Sequence, residues 1–403
     1  MNGFPFSVVG MCNLEQFSDL FFLYKHISSC MVTTMFSAFS TYICLFIFFQ
    51  VLTDGVISRR RSLSSFIVHK DRLSISVIKP EPQGQKQANM TDNTDIITIT
   101  HSASGASFAV HKFGATVISY KSKDGRENLF LSSSAKLDGS KAIRGGIPLV
   151  FPIFGPPTDA GSTMPQHGFA RQNMWTVKDG SQHDSDEHAG ISLSLNLADA
   201  SAGRGDGNMW SVDNVKKDGT DCRLTLDIKV DGTSLTTILI VENTGSDAFN
   251  FNCLQHTYFA VDGSAAQDPT KCFVHGLGGY SCIDKIDSAN DGKVASYDED
   301  IDLTPGEVDR VYTHPEEKHS ALGVKIGVGE GKAIKMEAMG EVDESPVPVS
   351  CVVWNPHIAK AKGMGDFTDD QYKDMICVEP GLLGHQPVLN PGKEARFTQI
   401  IFA

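Results

Sequence analysis

Two short stretches of this chain gather side chains suited to proton transfer or anion binding. "RGGIPLVFP" carries Arg144, and "PQHGFAR" carries Gln166, His167 and Arg171. All four lie among glycines and prolines, where backbone geometry is restricted and a side chain can be aimed. Two guanidinia, an amide and an imidazole would suit a polyhydroxylated, anionic small molecule, because a guanidinium presents a planar fork to phosphate oxygens. The plainer alternative is ordinary surface-loop polarity.

Further along, "FNFNCLQHTYFAVD" alternates in a strand-like way. Phe249, Phe251, Cys253, Phe259 and Val261 fall on one face, and Asn250, Asn252, His256 and Tyr258 on the other. An apolar back with an Asn/His/Tyr front fits a sheet lining a sugar cleft; a solvent-facing polar side is the alternative. In "MICVEPG", Glu379 ends an apolar run. Burial there would raise its pKa toward neutrality, unless it turns out to solvent at the strand end. In "GEVDRVY", Asp309 and Arg310 point to opposite faces, and Trp354 of "VVWNPH" could stack on a sugar or simply fill the core.

The elements that must position these groups read as β-structure. "CRLTLDIKVDG" and "TSLTTILIVENTG" are alternating, β-branched segments joined by an Asp-Gly turn, which predicts a hairpin. Short strands with Gly and Asp-Gly punctuation continue from about residue 95, convincing long amphipathic helices are absent, and no fixed-period repeat is visible. The expectation is an all-β fold, a large antiparallel sandwich or barrel, as one catalytic domain over residues 91–403. The Gly-rich stretch 201–219 reads as a surface insertion between strands. "GLGGY" and "GRGDG" lack the ending of a phosphate-binding loop.

Formal charge is −13 over 403 residues. Residues 1–90 hold eight Lys/Arg against five Asp/Glu, or +3, which leaves −16 for the remainder. A body so acidic argues against nucleic-acid binding and makes individual arginines the means of holding an anion. Nine cysteines show no CxxC pairs and no zinc-like interleaving with histidine, so free thiols, a reduced compartment and no metal are expected. Residues 31–52 form a nearly uncharged run of membrane-spanning length, followed by a Ser-rich, basic segment containing Arg59, Arg60 and Arg61. Residues 1–90 are therefore read as a targeting segment and linker outside the fold. The order suggests a plastid-like bipartite signal. The rival readings are membrane association through residues 31–52, or a start at Met90 that leaves a cytosolic domain.

Taken together, "RGGIPLVFPIFGPP", "PQHGFAR", "HTYF", "DRVY", "WNP" and "DF…Y…MICVEPG" closely resemble the glucose-6-phosphate 1-epimerase (hexose-6-phosphate mutarotase) family, over roughly residues 92–403. That family belongs to the aldose 1-epimerase superfamily. The resemblance implies a galactose-mutarotase-like β supersandwich that interconverts the α and β anomers of hexose 6-phosphates by acid–base ring opening, without a cofactor or metal. By the same resemblance His256 is the catalytic acid and Glu379 the base, while Arg144, Gln166, Arg171 and Asp309 bind substrate. His167 matches a sugar-contacting histidine of the galactose-specific branch. The chain departs from the usual "WNPW" in carrying His357. The alternatives are a mutarotase for unphosphorylated aldoses and a non-catalytic sugar-phosphate-binding module. A monomer is expected. The acid–base assignment requires His256 and Glu379 to face each other across a gap about the width of a pyranose.

Overall fold

Alternation of β-branched and aromatic residues with polar ones builds an antiparallel β-sandwich, as expected. The computed structural model describes residues 95–157, 164–200, 221–314, 321–384 and 386–403. These fall within Gly84–Ala403, the second of two compact units of the chain. The apolar run 31–52, the basic cluster after it and the 201–219 insertion lie outside the described residues. Among those described, no helix is long and apolar enough to cross a membrane.

One layer is a ten-stranded sheet whose central strands include Lys332–Val342, Glu394–Phe402, Ser234–Asn243 and Cys222–Val230. The predicted hairpin is here, with Cys222 opposite Asn243 and Val230 opposite Leu235. Asp231 closes its turn by accepting from the backbone N–H groups of Thr233 and Ser234 at 2.6 and 2.8 Å. Such an Asx-type turn is what a short polar side chain contributes between strands.

The other layer holds the chemistry. Its strands, in chain order, are β1 (Leu149–Val150), β2 (Cys253–Gln255), β3 (Tyr258–Ala260), β4 (Ser281–Asp284), β5 (Val308–Thr313), β6 (Ser350–Asn355) and β7 (Met375–Leu382). They pair in the order β4-β5-β6-β7-β2-β1, and β3 also pairs with β7. The stretch 249–262 is thus not one strand. Phe249–Asn250 pairs with Val388–Leu389 instead, and the ladder breaks where the Asn252 and His256 amides donate to the carbonyls of Pro152 and Pro148.

The two faces of this sheet separate as a period of two requires. Cys253, Phe259, Cys351, Val353, Ile376 and Val378 join the main core with Leu224, Leu239 and Phe397 of the facing sheet. Leu254, Tyr258, Val352, Trp354 and Cys377 form a second cluster on the opposite face. A polar pin crosses between the sheets on either side of His256. Gln255 donates to the carbonyls of Thr237 and Phe397 at 3.4 and 3.3 Å, and the Thr257 hydroxyl donates to the Gln399 side-chain oxygen at 2.9 Å. Buried hydrogen bonds of this kind hold a backbone in one place, although Gln399 Nε2 has no hydrogen-bond partner among the described residues.

Candidate active site

On β7, Cys377 and Glu379 are two residues apart and share the outer face. The β3–β7 register sets Tyr258 opposite Cys377, and β2–β7 sets Leu254 opposite Gly381, which brings His256 level with Glu379. Across the sheet, Asp309 pairs with Trp354 and Trp354 with Cys377. One row of side chains therefore runs from Asp309 to Tyr258, with the histidine and glutamate in the next.

His256 Nδ1 lies 3.2 Å from Glu379 Oε1, and the two side chains are only 9% and 2% exposed. The pair is not aligned for a hydrogen bond, which leaves Nδ1 buried without a hydrogen-bond partner among the described residues. The separation is smaller than the pyranose-wide gap expected. A sugar cannot sit between the two groups, but O1 and O5 are both bonded to C1, so adjacent groups can serve both oxygens from one side. The His256 ring is stacked on Tyr258 at 4.8 Å and meets Trp354 edge-on at 6.1 Å.

Burial raises the Glu379 pKa well above the usual carboxylate value; Asp309 adds to the rise, while Lys285 and Arg171 oppose it. Burial, then His167, Arg171 and Arg144, lowers that of His256. Desolvation disfavours the charged form of each group. Burial thus favours the neutral imidazole and the neutral carboxyl group in the free site. Glu379 is buried and not turned to solvent.

His167 reaches this pair from a left-handed backbone, φ 65°. Its ring lies 5.9 Å from that of His256 and 5.3 Å from Phe154. Nδ1 accepts from the Gly155 amide at 3.2 Å. Burial and then Arg171, Lys285 and Arg144 push its pKa down to about 2, so the ring is neutral and can present Nε2–H as a donor. Gly168, at φ 76°, makes the turn possible, since a Cβ there would stand 2.0 Å from the Phe151 carbonyl oxygen. In "RGG", Gly146 has the same role, with a Cβ meeting the Val117 carbonyl oxygen at 2.1 Å.

The two arginines differ. Arg144 spends its fork on Asp366, at 3.3 and 3.4 Å, and donates from Nη1 to the Tyr258 hydroxyl at 3.1 Å. Lys141 also pairs with Asp366, at 2.9 Å. Arg171 donates from Nη2 to the Gln166 carbonyl at 2.9 Å, while its Nε is buried without a hydrogen-bond partner among the described residues. The Gln166 side chain is exposed. Asp309 is paired with Lys285 at 3.0 Å, and that ammonium also lies 4.7 Å from the centre of the Phe154 ring. Arg310 points away from Asp309 and pairs with Asp284 at 2.8 Å, as alternation predicted. Asn252 is tied to the Leu382 carbonyl at 3.1 Å. His357 opens the short helix α1 (His357–Ala361) and packs 5.0 Å from Tyr372.

Sequence reasoning missed Lys285, Asp366 and Cys377 as neighbours of these groups. Asp366 stood inside a recognised block; Lys285 follows β4 in a polar turn whose spacing carries no signal.

A sandwich that buries an imidazole beside a carboxylic acid, ringed by arginine, lysine and neutral histidine, defines an acid–base enzyme for a small polar substrate. The aldose 1-epimerase family profile matches residues 95–401, and the chain belongs to that family. It is an isomerase of the mutarotase kind. A relative from Escherichia coli (strain K12), named as a candidate glucose-6-phosphate 1-epimerase, is 30% identical over 318 residues, covering 77% of this chain and 90% of its own. A protein of the same designation from Cenchrus ciliaris is 32% identical over 288 residues, covering 71% and 78%. The crystal structure of a candidate mutarotase from Salmonella typhimurium superposes with a TM-score of 0.58 at 26% identity, over 78% of this chain and 92% of the other.

Proposed function

We propose that the protein interconverts the α and β anomers of hexose 6-phosphates, chiefly glucose 6-phosphate, with His256 as acid and Glu379 as base. The observation that carries this reading is the buried imidazole and carboxyl group 3.2 Å apart. With the proton on His256, Glu379 takes the O1 hydroxyl proton while His256 delivers its own to O5. The C1–O5 bond breaks and C1 becomes an aldehyde. The pair is then neutral imidazole and carboxylic acid, the state that burial favours in the free site. Rotation about C1–C2 presents the other aldehyde face. Glu379 then returns its proton to the carbonyl oxygen, His256 recovers the one on O5, and the ring closes. Positioned transfers of this kind are each worth about 10²–10⁴-fold. Substrate binding must first place a proton on His256; Lys285 favours that shift by stabilising the carboxylate, whereas Arg171 stabilises the carboxylate and opposes the imidazolium.

Support for a phosphorylated substrate comes from Arg171, whose buried Nε lacks a hydrogen-bond partner among the described residues, and from the names of the relatives. Gln166, Asp309 and His167 would hold ring hydroxyls and the ring-oxygen side. A mutarotase for neutral aldoses gains from Arg144, whose fork is already taken by Asp366. The test is anomer exchange by NMR with glucose 6-phosphate and with galactose, spontaneous exchange subtracted. We expect the phosphorylated sugar to be preferred, and Arg171→Ala to weaken its KM at least about tenfold more than that of glucose. An equal loss for both sugars would remove the phosphate role.

A further inference from the structure

The acid–base pair has a third close neighbour that the mutarotase chemistry does not use. Cys377 is fully buried, shares the outer face of β7 with Glu379, and offers a thiol to the same point. One donor atom from each of His256, Cys377 and Glu379 lies within 4.8 Å of the others. No second group of three such donors occurs among the described residues. Cys351 and Cys253 face the sandwich core, whereas Cys377 lies on the opposite face, in the cluster with Leu254, Tyr258 and Trp354 that borders the pair. The imidazole beside it has an Nδ1 that makes no hydrogen bond among the described residues, so the cluster has unspent donor capacity.

We propose that Cys377, His256 and Glu379 form a binding site for a thiophilic divalent cation of the zinc class, which competes with sugar and stops turnover. Imidazole, thiolate and carboxylate are the ligand types zinc takes, and three protein ligands leave a fourth position open toward substrate or water. Bond lengths of about 2.0–2.3 Å place tetrahedral ligand atoms about 3.3–3.8 Å apart. The donor atoms, all within 4.8 Å of one another, must therefore draw closer on binding. Binding releases the thiol proton and the carboxylic acid proton to solvent, and the metal's charge offsets the cost of the buried anions. Magnesium and calcium, which prefer oxygen ligands, are excluded by the thiol. Inhibition follows because the metal takes the lone pair of His256 and the carboxylate of Glu379 together.

The test uses the full chain, reduced and freed of reductant, titrated with Co2+, whose thiolate complexes absorb in the near ultraviolet. One equivalent should produce that band in the wild-type protein and in Cys351→Ala, and Zn2+ should bleach it. Cys377→Ala should lack it, and the Zn2+ concentration that halves anomer exchange should rise at least tenfold in that variant relative to its own metal-free rate. Saturating glucose 6-phosphate or galactose should weaken Co2+ binding at least tenfold. A band that survives in Cys377→Ala, or equal Zn2+ sensitivity with and without the thiol, would overturn the proposal. If Cys377→Ala does not fold, the wild-type protein still decides: no thiolate band, or a band indifferent to both sugars, ends it. The spectral measurement needs no turnover, so a chain that bound Co2+ through Cys377 yet opened no sugar ring would sink the mutarotase reading and leave the cation site standing without its inhibitory role.

Discussion

At the scale of the residue, burial favours the neutral form of the Glu379 carboxyl group. Glu379→Gln keeps the shape and a neutral side chain but cannot accept a proton. We expect it to lower kcat about 10²–10⁴-fold while leaving KM within a few-fold, as measured by anomer exchange. A variant with full turnover would mean that another group is the base. The imidazoles give a second reading of the same electrostatics. Because the His256 and His167 pKa values are lowered, their 15N signals should report neutral rings as pH falls through the ordinary histidine value near 6.5. An ordinary titration at either ring would contradict the burial argument. Residue types and alternation made His256 and Glu379 legible, along with the opposite orientations of Asp309 and Arg310. Lys285 beside Asp309, and Asp366 beside Arg144, were not legible. Each partner comes from a distant part of the chain, and salt-bridge partnership has no periodicity.

At the scale of the element, two glycine turns and a polar pin aim the site. Gly168 passes the Phe151 carbonyl so closely that a Cβ would stand 2.0 Å from its oxygen, whereas Gly155, also at positive φ, has nothing within 4 Å. Both Ala replacements carry a backbone strain of about 1–3 kcal/mol. Gly168→Ala adds a backbone collision, so its denaturant midpoint should fall clearly below that of Gly155→Ala. Equal midpoints would show that the turn yields freely. The stretch around His256 departed from its expected single strand because two of its amides bond to carbonyls in "RGGIPLVFP". The local pattern of residues 249–262 reports only which way side chains alternate; where the ladder breaks depends on a segment about a hundred residues earlier.

At the scale of the whole molecule, the site opposes folding. Below pH 6.5 the unfolded chain takes up protons at His167 and His256 that the folded chain refuses, so stability drops as pH falls, by up to about 1.4 kcal/mol per pH unit for each ring. Glu379 acts in the other direction. Its raised folded pKa means that the folded state holds a proton that the unfolded state releases above about pH 4.5, so stability is lost as pH rises from there toward the folded pKa. Glu379→Gln should therefore raise the Tm at neutral and alkaline pH, and the gain should vanish near pH 4. A variant less stable than the parent at pH 8 would contradict the burial of an ionisable carboxyl.

The amino-acid sequence by itself determined the all-β architecture, the hairpin at residues 222–243 and the two faces of the strands that carry His256 and Glu379. Each follows from the period of the backbone and from local turn chemistry, which act over a few residues. Only the tertiary structure decided that the imidazole and carboxyl group lie side by side and not across a sugar, that burial pushes both toward their neutral forms, and that a thiol lies beside them. Distances between strands, and the loss of water around a buried charge, arise when segments far apart in the chain pack together.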